Sequence, residues 1–384
     1  MTGSMAGFRA SMARECRFLA RRPWDLAMLT WLPLLLCGVI AWQLSDGVIR
    51  DLPVLLIDQD DSALARDLAI RIEAAPGLTL AGQVPDLATA ERLVRAKQAQ
   101  AALLVPPDTA QSALRGQAPV ILYFNASYPA AAASVQREVG AVVDAANARL
   151  AVERIAAIAP PGSVRPAPVR AITTIAWNAP GSQEFQLVSL LHPALLHLLF
   201  MLAVVSAFGR ELRDGSSGDW APDMAALAGK AAPYLAAFMG WGLLTTMWLS
   251  GGRGWPFAGS PVLLMAGYAA MYLAYLGVSL LLLGATRTLS QSLSLTGIYA
   301  GASFAFAGAI FPLEQASAFA AIWGNALPYT HFARLLARTW IAEGSAMAVA
   351  LPILAMLAIA LVTAVPGVLL YLKAARDPAS WGRR

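Results

Sequence analysis

The chain has few charged residues, few histidines and only two cysteines. Charged residues make up 13% of its 384 positions, against roughly 25% in an average soluble domain. Three histidines and two cysteines leave little material for a metal centre or a disulfide framework. We interpret Cys16 and Cys37 as small apolar side chains. This composition excludes both an ordinary soluble domain and a disulfide-stapled secreted one.

Several sequence motifs of enzymes are also missing. The chain has no G-x-x-x-x-G-K-[ST] phosphate loop, no G-x-S-x-G, no H-E-x-x-H and no C-x-x-C. Its one Gly-Lys pair, Gly229 and Lys230, is followed by alanine. The sequence therefore predicts no catalytic, cofactor-binding or metal-binding residues. The isoelectric point is about 9.4, but the basic residues form no patch with interleaved aromatic residues, so no nucleic-acid partner is expected.

Long apolar runs dominate the chain instead. Hydrophobic residues account for 58% of the positions and the mean hydropathy is +0.58. Six uncharged segments are long enough to cross a hydrocarbon layer about 30 Å thick at about 1.5 Å per helical residue. They are residues 26–44, 186–208, 231–249, 261–284, 293–310 and 348–372. The pattern predicts a polytopic α-helical membrane protein with six transmembrane helices.

A polar stretch, residues 45–185, separates the first two of these segments and carries 12 basic and 14 acidic residues. Its apolar runs and turn signals predict an α/β domain. Strands are expected at 53–57, 101–105, 120–124 and 169–177, and helices at 62–75, 86–97, 108–115 and 129–157. Asp58, Asp60 and Asp61 would suit either a cation or helix capping. Capping is the preferred interpretation because the glycine and distant glutamate of a calcium loop are absent.

Arginine and lysine predict the orientation. Thirteen of them fall in residues 1–25, 209–230, 285–293 and 373–384, and three fall in the two short loops on the opposite side. The first set is therefore expected in the cytoplasm, with both termini, and the α/β domain outside it. Residues 1–25 are expected to form an amphipathic helix in the headgroup layer, with Phe8, Met12, Cys16 and Leu19 on one face. Residues 311–347 are expected to form re-entrant or interfacial helices at the outer face.

Residues 209–230 form a polar joint between the second and third apolar segments. Arg210 and Glu211 follow the end of a membrane helix, and Gly215 and Ser216 supply a turn. Asp219 or Asp223 is expected to cap a short surface helix. Lys230 is expected to anchor the next helix at the headgroups.

The joint carries a family resemblance. RELRDGS, residues 210–216, resembles the Arg-Glu-x-x-x-Gly-Thr segment of ABC-2 type permeases, the membrane subunits of a class of ABC exporters. GKAAPY, residues 229–234, is similar to the Gly-Lys-x-x-Pro-Tyr that opens their third helix. DQDDS from Asp58, FPLEQ from Phe311 and LPYTH from Leu327 are similar to further segments of the family.

The resemblance implies a function. In this family the joint docks on a separate cytoplasmic ATPase, so Arg210, Glu211, Gly215, Ser216 and Lys230 are the expected ATPase-coupling residues. It also implies a second permease copy, a periplasmic adaptor, a bacterial inner-membrane location and amphipathic, drug-like or lipid-like cargo. The fold class is then a six-helix membrane protein with an α/β extracytoplasmic domain inserted between helices 1 and 2.

Two questions stay open at this point. A membrane-anchored receptor or scaffold, whose outer domain binds a ligand or partner protein, is the alternative function. His192 and His197 are candidates for the transport pathway, because ionisable side chains inside membranes are commonly functional. They lie five residues apart, on different helix faces, so a shared metal site is not expected.

Overall fold

A computed structural model of the chain describes residues 2–45, 50–114, 119–125, 129–158, 182, 184–216, 223–255, 257, 259–308, 313, 316–341 and 346–382. The chain divides into two compact units. One consists of Met1–Ser45 and Glu184–Arg384, and the other of Asp46–Gln183. These boundaries lie within two residues of those predicted for the polar stretch 45–185.

The regular secondary structure of the first unit is helical within its described residues. Numbered along the whole chain, its helices are α1 Thr2–Arg21, α2 Pro23–Leu29, α3 Trp31–Gln43, α8 Ser189–Asp214, α9 Met224–Met247, α10 Pro261–Thr286, α11 Leu289–Gly301, α12 Ser303–Phe306, α13 Ala318–Ala326, α14 Pro328–Ile341 and α15 Ala346–Arg376. Two π-helical turns, Glu184–Val188 and Trp248–Gly252, precede α8 and follow α9, and a 3₁₀ turn at Pro378–Ser380 follows α15.

Among the residues that the structure describes, three helices are long and apolar enough to cross a membrane: Ser189–Asp214, Pro261–Thr286 and Val349–Arg376 within α15. The bent pair α2 and α3, which meet at 41°, makes a fourth if the two form one span. Helices α9 and α11 cover the other two predicted segments, but neither is both long and apolar enough to count as a membrane span. Glycine and threonine dilute the apolar content of α9, and α11 ends at Gly301. Three of the six predicted spans are thus supported, a fourth is supported if α2 and α3 form one span, and the other two stay predictions.

Close backbone contact joins α10 to α15. A Cβ atom added at Gly277 would lie 2.5 Å from Thr363 Oγ1, and one added at Gly367 would lie 2.7 Å from the backbone nitrogen of Leu281. Small residues at such positions let two membrane helices approach closely enough to gain dispersion contacts along their length. Helix α15 continues as one helix through Pro352 and Pro366.

Helix α14 belongs to the packed core of this unit. Tyr329, Phe332 and Leu335 have no exposed surface, and the helix packs against both α10 and α15. Its strong amphipathicity, visible in the sequence, therefore reflects one face buried against other helices rather than only a position at the membrane surface. The predicted segment FPLEQ lies mostly outside the described residues.

The second unit contains a four-stranded sheet in the order β2-β1-β3-β4. The strands are β1 Leu52–Asp58, β2 Leu78–Gln83, β3 Ala101–Val105 and β4 Ile121–Phe124, and the helices are α4 Ala63–Ala74, α5 Leu87–Arg95, α6 Thr109–Leu114 and α7 Pro129–Ile158. Strand β1 pairs parallel with β2 and β3, and β4 closes one edge antiparallel to β3. The unit is therefore an α/β structure, while its expected place outside the cytoplasm stays a prediction.

Most of the predicted elements of this unit are present, with one omission. Strand β2 was not expected, because its alternation of apolar and polar side chains is short and interrupted by Gly82. The strand expected at 169–177 lies outside the described residues. Asp58 Oδ1 accepts hydrogen bonds from the backbone nitrogens of Asp60 and Asp61, and Ser62 caps α4. The acidic run therefore forms a turn that leads into a helix cap, as preferred from the sequence.

Candidate functional site

Three helices meet where the polar joint begins and ends. Helix α8 enters the joint at its C-terminal end, α9 leaves it, and α1 packs along the first turns of α9. Gly229 makes this approach possible, because a Cβ atom there would overlap the backbone carbonyl of Phe8. The glycine of the Gly-Lys pair therefore serves helix packing.

A cluster of charged side chains fills the space between these helices. We define the joint cluster as Glu15 of α1, Arg210 and Glu211 of α8, and Lys230 and Tyr234 of α9. All five side chains are buried, and Lys230 has no exposed surface. Two acidic and two basic side chains thus lie together with little exposure to water.

Glu15 contacts three of the other four members of the joint cluster. Its Oε2 atom lies 2.7 Å from Lys230 Nζ, and its Oε1 atom accepts a hydrogen bond of 2.6 Å from the Tyr234 hydroxyl. Arg210 donates to the same oxygen, Oε1. Both carboxylate oxygens are therefore satisfied by donors from α8 and α9, so that one side chain of α1 ties all three helices together.

Lys230 links Glu15 to the second carboxylate. Its Nζ atom lies 2.7 Å from Glu211 Oε1, which also accepts a hydrogen bond of 3.2 Å from Arg14. Ser216, just beyond the turn at the end of α8, donates to Glu211 Oε2. The network thus extends from the buried helices into the first residues of the joint.

The balance of charge favours the ionised form of Glu15 in a buried place. Burial alone would raise the pKa of Glu15, but the positive charges of Lys230 and Arg210 and the hydrogen bonds from Lys230 and Tyr234 outweigh it. The pKa of Glu15 is therefore held below its ordinary value. Removing one member of a buried ion pair leaves the charge of its partner uncompensated. Each charged side chain of the joint cluster therefore depends on the others to compensate its charge.

Arg210 also has an aromatic partner. Its guanidinium carbon lies 3.6 Å from the ring centroid of Phe18 on α1, close enough for a cation–π contact. Asp25 of α2 lies 3.8 Å from its Nη1 atom. Arg210 is thus held by two residues of the N-terminal helices in addition to Glu15.

The structure corrects the expected surroundings of three of the residues that the sequence predicts to couple to an ATPase. Arg210, Glu211 and Lys230 are buried and bonded within the chain, so in this structure they do not offer charge to a partner's surface. Lys230 is not a headgroup anchor, because its ammonium group lies between two carboxylates. Gly215 does form the expected turn: it ends α8 in a left-handed conformation with φ of 69°.

The helix after the joint also differs from expectation. Asp223 caps it, accepting a hydrogen bond from the backbone nitrogen of Ala226, as one of the two sequence alternatives proposed. The helix is not a separate short one, however, because α9 runs unbroken from Met224 to Met247. The polar first turns of α9 and its apolar part therefore form one continuous helix.

The residues of α1 that are buried against other helices are not simply those of its apolar face. Leu19 is buried, but Cys16 is exposed, while Ser11 and Glu15 are buried. An apolar periodicity does not reveal a buried carboxylate whose charge is compensated by residues about 200 positions away. The signal available in the sequence was that Glu15 is the single acidic residue of α1 among several arginines.

The two histidines have separate surroundings. His192 Nε2 donates to the carbonyl of Cys37 at 3.0 Å, and the side chain borders a cavity of about 460 Å³. His197 is fully buried and stacks between Tyr275 and Tyr329, with ring centroids 4.5 and 5.0 Å away. They do not share a site, and a role for either in transport stays a prediction.

A family model connects this architecture with known proteins. The model described as ABC-2 family transporter protein matches residues 23–369, which is nearly the whole chain. The chain therefore belongs to the ABC-2 transporter family and is a multi-pass membrane protein of the permease type. Neither the curated proteins nor the solved structures contain a match to it.

Proposed function

We propose that this chain is the permease subunit of an exporter that moves amphipathic substrates out of the cytoplasm or the inner membrane. A separate cytoplasmic ATPase would supply the energy. Membership in the ABC-2 family supports the permease role, and the sequence holds no phosphate loop of its own. The apolar helices favour cargo that is itself largely apolar.

The observation that carries the proposal is the joint cluster. A subunit driven by a partner must convert displacement of a cytoplasmic loop into displacement of membrane helices. Ser216 in the loop contacts Glu211, which contacts Lys230, which contacts Glu15. Loop movement would therefore displace α1, α8 and α9 together, because separating them would leave buried charges unpaired.

The proposal includes an arrangement in the membrane. Both termini and the joint would face the cytoplasm of a bacterial inner membrane, with the α/β unit on the periplasmic side. Two copies, identical or related, would form the transport path, and an adaptor protein would receive cargo from the α/β unit. Arg210, Glu211, Gly215, Ser216 and Lys230 would be positioning residues for coupling, and they would act through the joint cluster rather than as exposed contacts.

The proposal is tested by co-purifying the chain with its ATPase and measuring hydrolysis over a panel of amphipathic compounds. Glu211→Ala removes the carboxylate that holds Lys230, Arg14 and Ser216, so stimulation by active compounds should fall to the basal rate. Gly215→Trp places a side chain at a positive φ, and its Cβ would lie 3.5 Å from Trp381. This variant should also lose stimulation while remaining in the membrane.

A glycine elsewhere in the chain provides the matched control. Within the part of the chain that the structure describes, no atom lies within 4 Å of a Cβ added at Gly251, so Gly251→Trp should retain stimulation. Normal stimulation of both Glu211→Ala and Gly215→Trp would contradict coupling through the joint. Failure to recover any ATPase with the chain would favour the receptor or scaffold alternative.

A further inference from the structure

A groove lies at the end of α8 opposite the joint cluster. It has a volume of about 460 Å³, within the range of sites that hold small molecules. Helix α3 forms one wall, α9 and the π-helical turn after it form the other, and the start of α8 lies at the base. We call it the Trp241 groove, and its lining residues include Leu34, Gly38, Trp42, Trp241, Leu244 and Trp248.

The walls of the groove are apolar and open towards an apolar surface. The side chains of Trp42 and Leu244 at its edges are 78% and 53% exposed. Exposed tryptophan and leucine on a membrane helix are typical of surfaces that contact lipid, with tryptophan favoured near the headgroups. The groove is therefore accessible from the hydrocarbon layer.

An ion pair closes one end. Arg253 binds Glu184 through two hydrogen bonds of 2.7 and 2.8 Å and donates a third, of 3.0 Å, to the carbonyl of Ser45. The Glu184 side chain is 2% exposed, whereas that of Arg253 is 38% exposed. The guanidinium is therefore the partner of this ion pair that a ligand can reach, and its donors suit a phosphate or carboxylate group.

The length of the groove matches one leaflet. From Leu34 to the end of α3 at Gln43 the helix rises about 14 Å at 1.5 Å per residue. Half of a hydrocarbon layer about 30 Å thick is about 15 Å. An extended chain from a lipid headgroup at Arg253 would thus reach to about the level of Leu34.

From these features we propose that the Trp241 groove binds an anionic phospholipid of the surrounding membrane. One acyl chain would lie between Trp42, Trp241 and Trp248, and the phosphate would accept hydrogen bonds from Arg253. The second acyl chain would remain in the bilayer, which the open side of the groove allows. The site would hold lipid as a structural ligand, whether or not a partner ATPase is bound.

Native mass spectrometry of the full chain, delipidated and titrated with phosphatidylglycerol or phosphatidylcholine, tests the site. Gly38→Trp should fill the groove, because Gly38 lines it and no atom of the described residues lies within 4 Å of a Cβ added there. Gly240→Trp is the matched control, since Gly240 has equally open space and does not line the groove. The wild type and Gly240→Trp should retain one tightly bound phosphatidylglycerol, and Gly38→Trp should lose it.

The charge requirement is tested at Arg253. A hydrogen bond from a charged group contributes enough binding free energy that its loss in Arg253→Gln should weaken phosphatidylglycerol binding about tenfold or more. The preference over phosphatidylcholine should also disappear. Arg253→Lys keeps the charge and should keep the preference. Thermal unfolding of both variants separates this effect from the loss of a partner for Glu184, and Gly38→Trp leaves that ion pair intact.

Three results would overturn the proposal. Equal retention of phosphatidylglycerol by Gly38→Trp and Gly240→Trp would show that the lipid binds elsewhere. Displacement of the lipid by compounds that stimulate the ATPase complex would assign the groove to cargo. A disulfide between two copies through Gly38→Cys would assign it to contact between subunits. The first and third of these results do not depend on whether the joint couples to an ATPase.

Discussion

The contact between Glu15 and Lys230 should be among the strongest single interactions in the protein. Their atoms lie 2.7 Å apart with both side chains at most 1% exposed. Removing one partner of a buried ion pair destabilises a protein by about 3–5 kcal/mol, because the remaining charge has no compensation. The lower end applies here, since Lys230 keeps Glu211, and Glu15 keeps Arg210 and Tyr234.

We therefore expect Glu15→Gln and Lys230→Met each to lower the free energy of unfolding by about 3 kcal/mol. The double variant should be about 2 kcal/mol more stable than the sum of the single losses, because it removes both charges together. Unfolding by sodium dodecyl sulfate in mixed micelles, followed by tryptophan fluorescence, measures all four proteins of the cycle. The same assay with urea would check that the detergent charge does not bias the result.

The exposed pair Arg213 and Asp214, at the end of the same α8, gives the matched control. Their nitrogen and oxygen atoms are 2.8 Å apart, but the side chains are 49% and 52% exposed. A cycle with Arg213→Gln and Asp214→Asn should show a coupling of about 0.5 kcal/mol or less. If the Glu15 and Lys230 cycle gives a coupling as small as this one, with single losses under about 1 kcal/mol, the reasoning on buried charge is refuted.

Three further outcomes follow from the structure. Folding lowers the pKa of Glu15, so the ionised side chain stabilises the protein at pH values above its ordinary pKa of 4.5. This stabilisation is lost as the pH falls below that value. The difference in melting temperature between wild type and Glu15→Gln should shrink over the same range. Gly277→Leu should cost at least about 1–3 kcal/mol in the same unfolding assay by overpacking against Thr363, whereas Gly297→Leu, with open space around it, should cost nothing. Ser62→Ala should cost about 1 kcal/mol by removing the cap of α4, which hydrogen exchange would report as about fivefold faster exchange in its first turn.

Local sequence signals predicted the parts of this fold that depend on neighbouring residues. The apolar runs located α8, α10 and α15 because burial in a membrane requires length and lack of charge, which are both properties of a single segment. The turn at Gly215 and the cap at Asp223 were visible for the same reason. The turn and the cap are decided within about four residues, and each membrane helix within one continuous segment.

The parts that escaped prediction depend on distant residues. Glu15 was not recognised as buried, because the donors that compensate its charge belong to α8 and α9, about 200 positions away. Lys230 was interpreted as an anchor at the membrane surface for the same reason. A charged side chain predicts exposure unless its partner is known, and a single sequence does not identify that partner.

The joint cluster indicates that the residues proposed for coupling would act through helix packing rather than through direct contact with a partner. If Arg210 and Glu211 met a partner directly, neutralising either would weaken docking and leave the isolated permease unaffected. In the structure they hold α8 to α1 and α9, so the same changes should loosen the permease itself before any partner binds. Coupling would then depend on how rigidly three helices move together, and the first measurable defect of Glu211→Ala would be reduced stability of the isolated chain. The Glu211→Ala variant should still bind the ATPase, because the buried Glu211 carboxylate does not form part of the surface that the joint would offer to it.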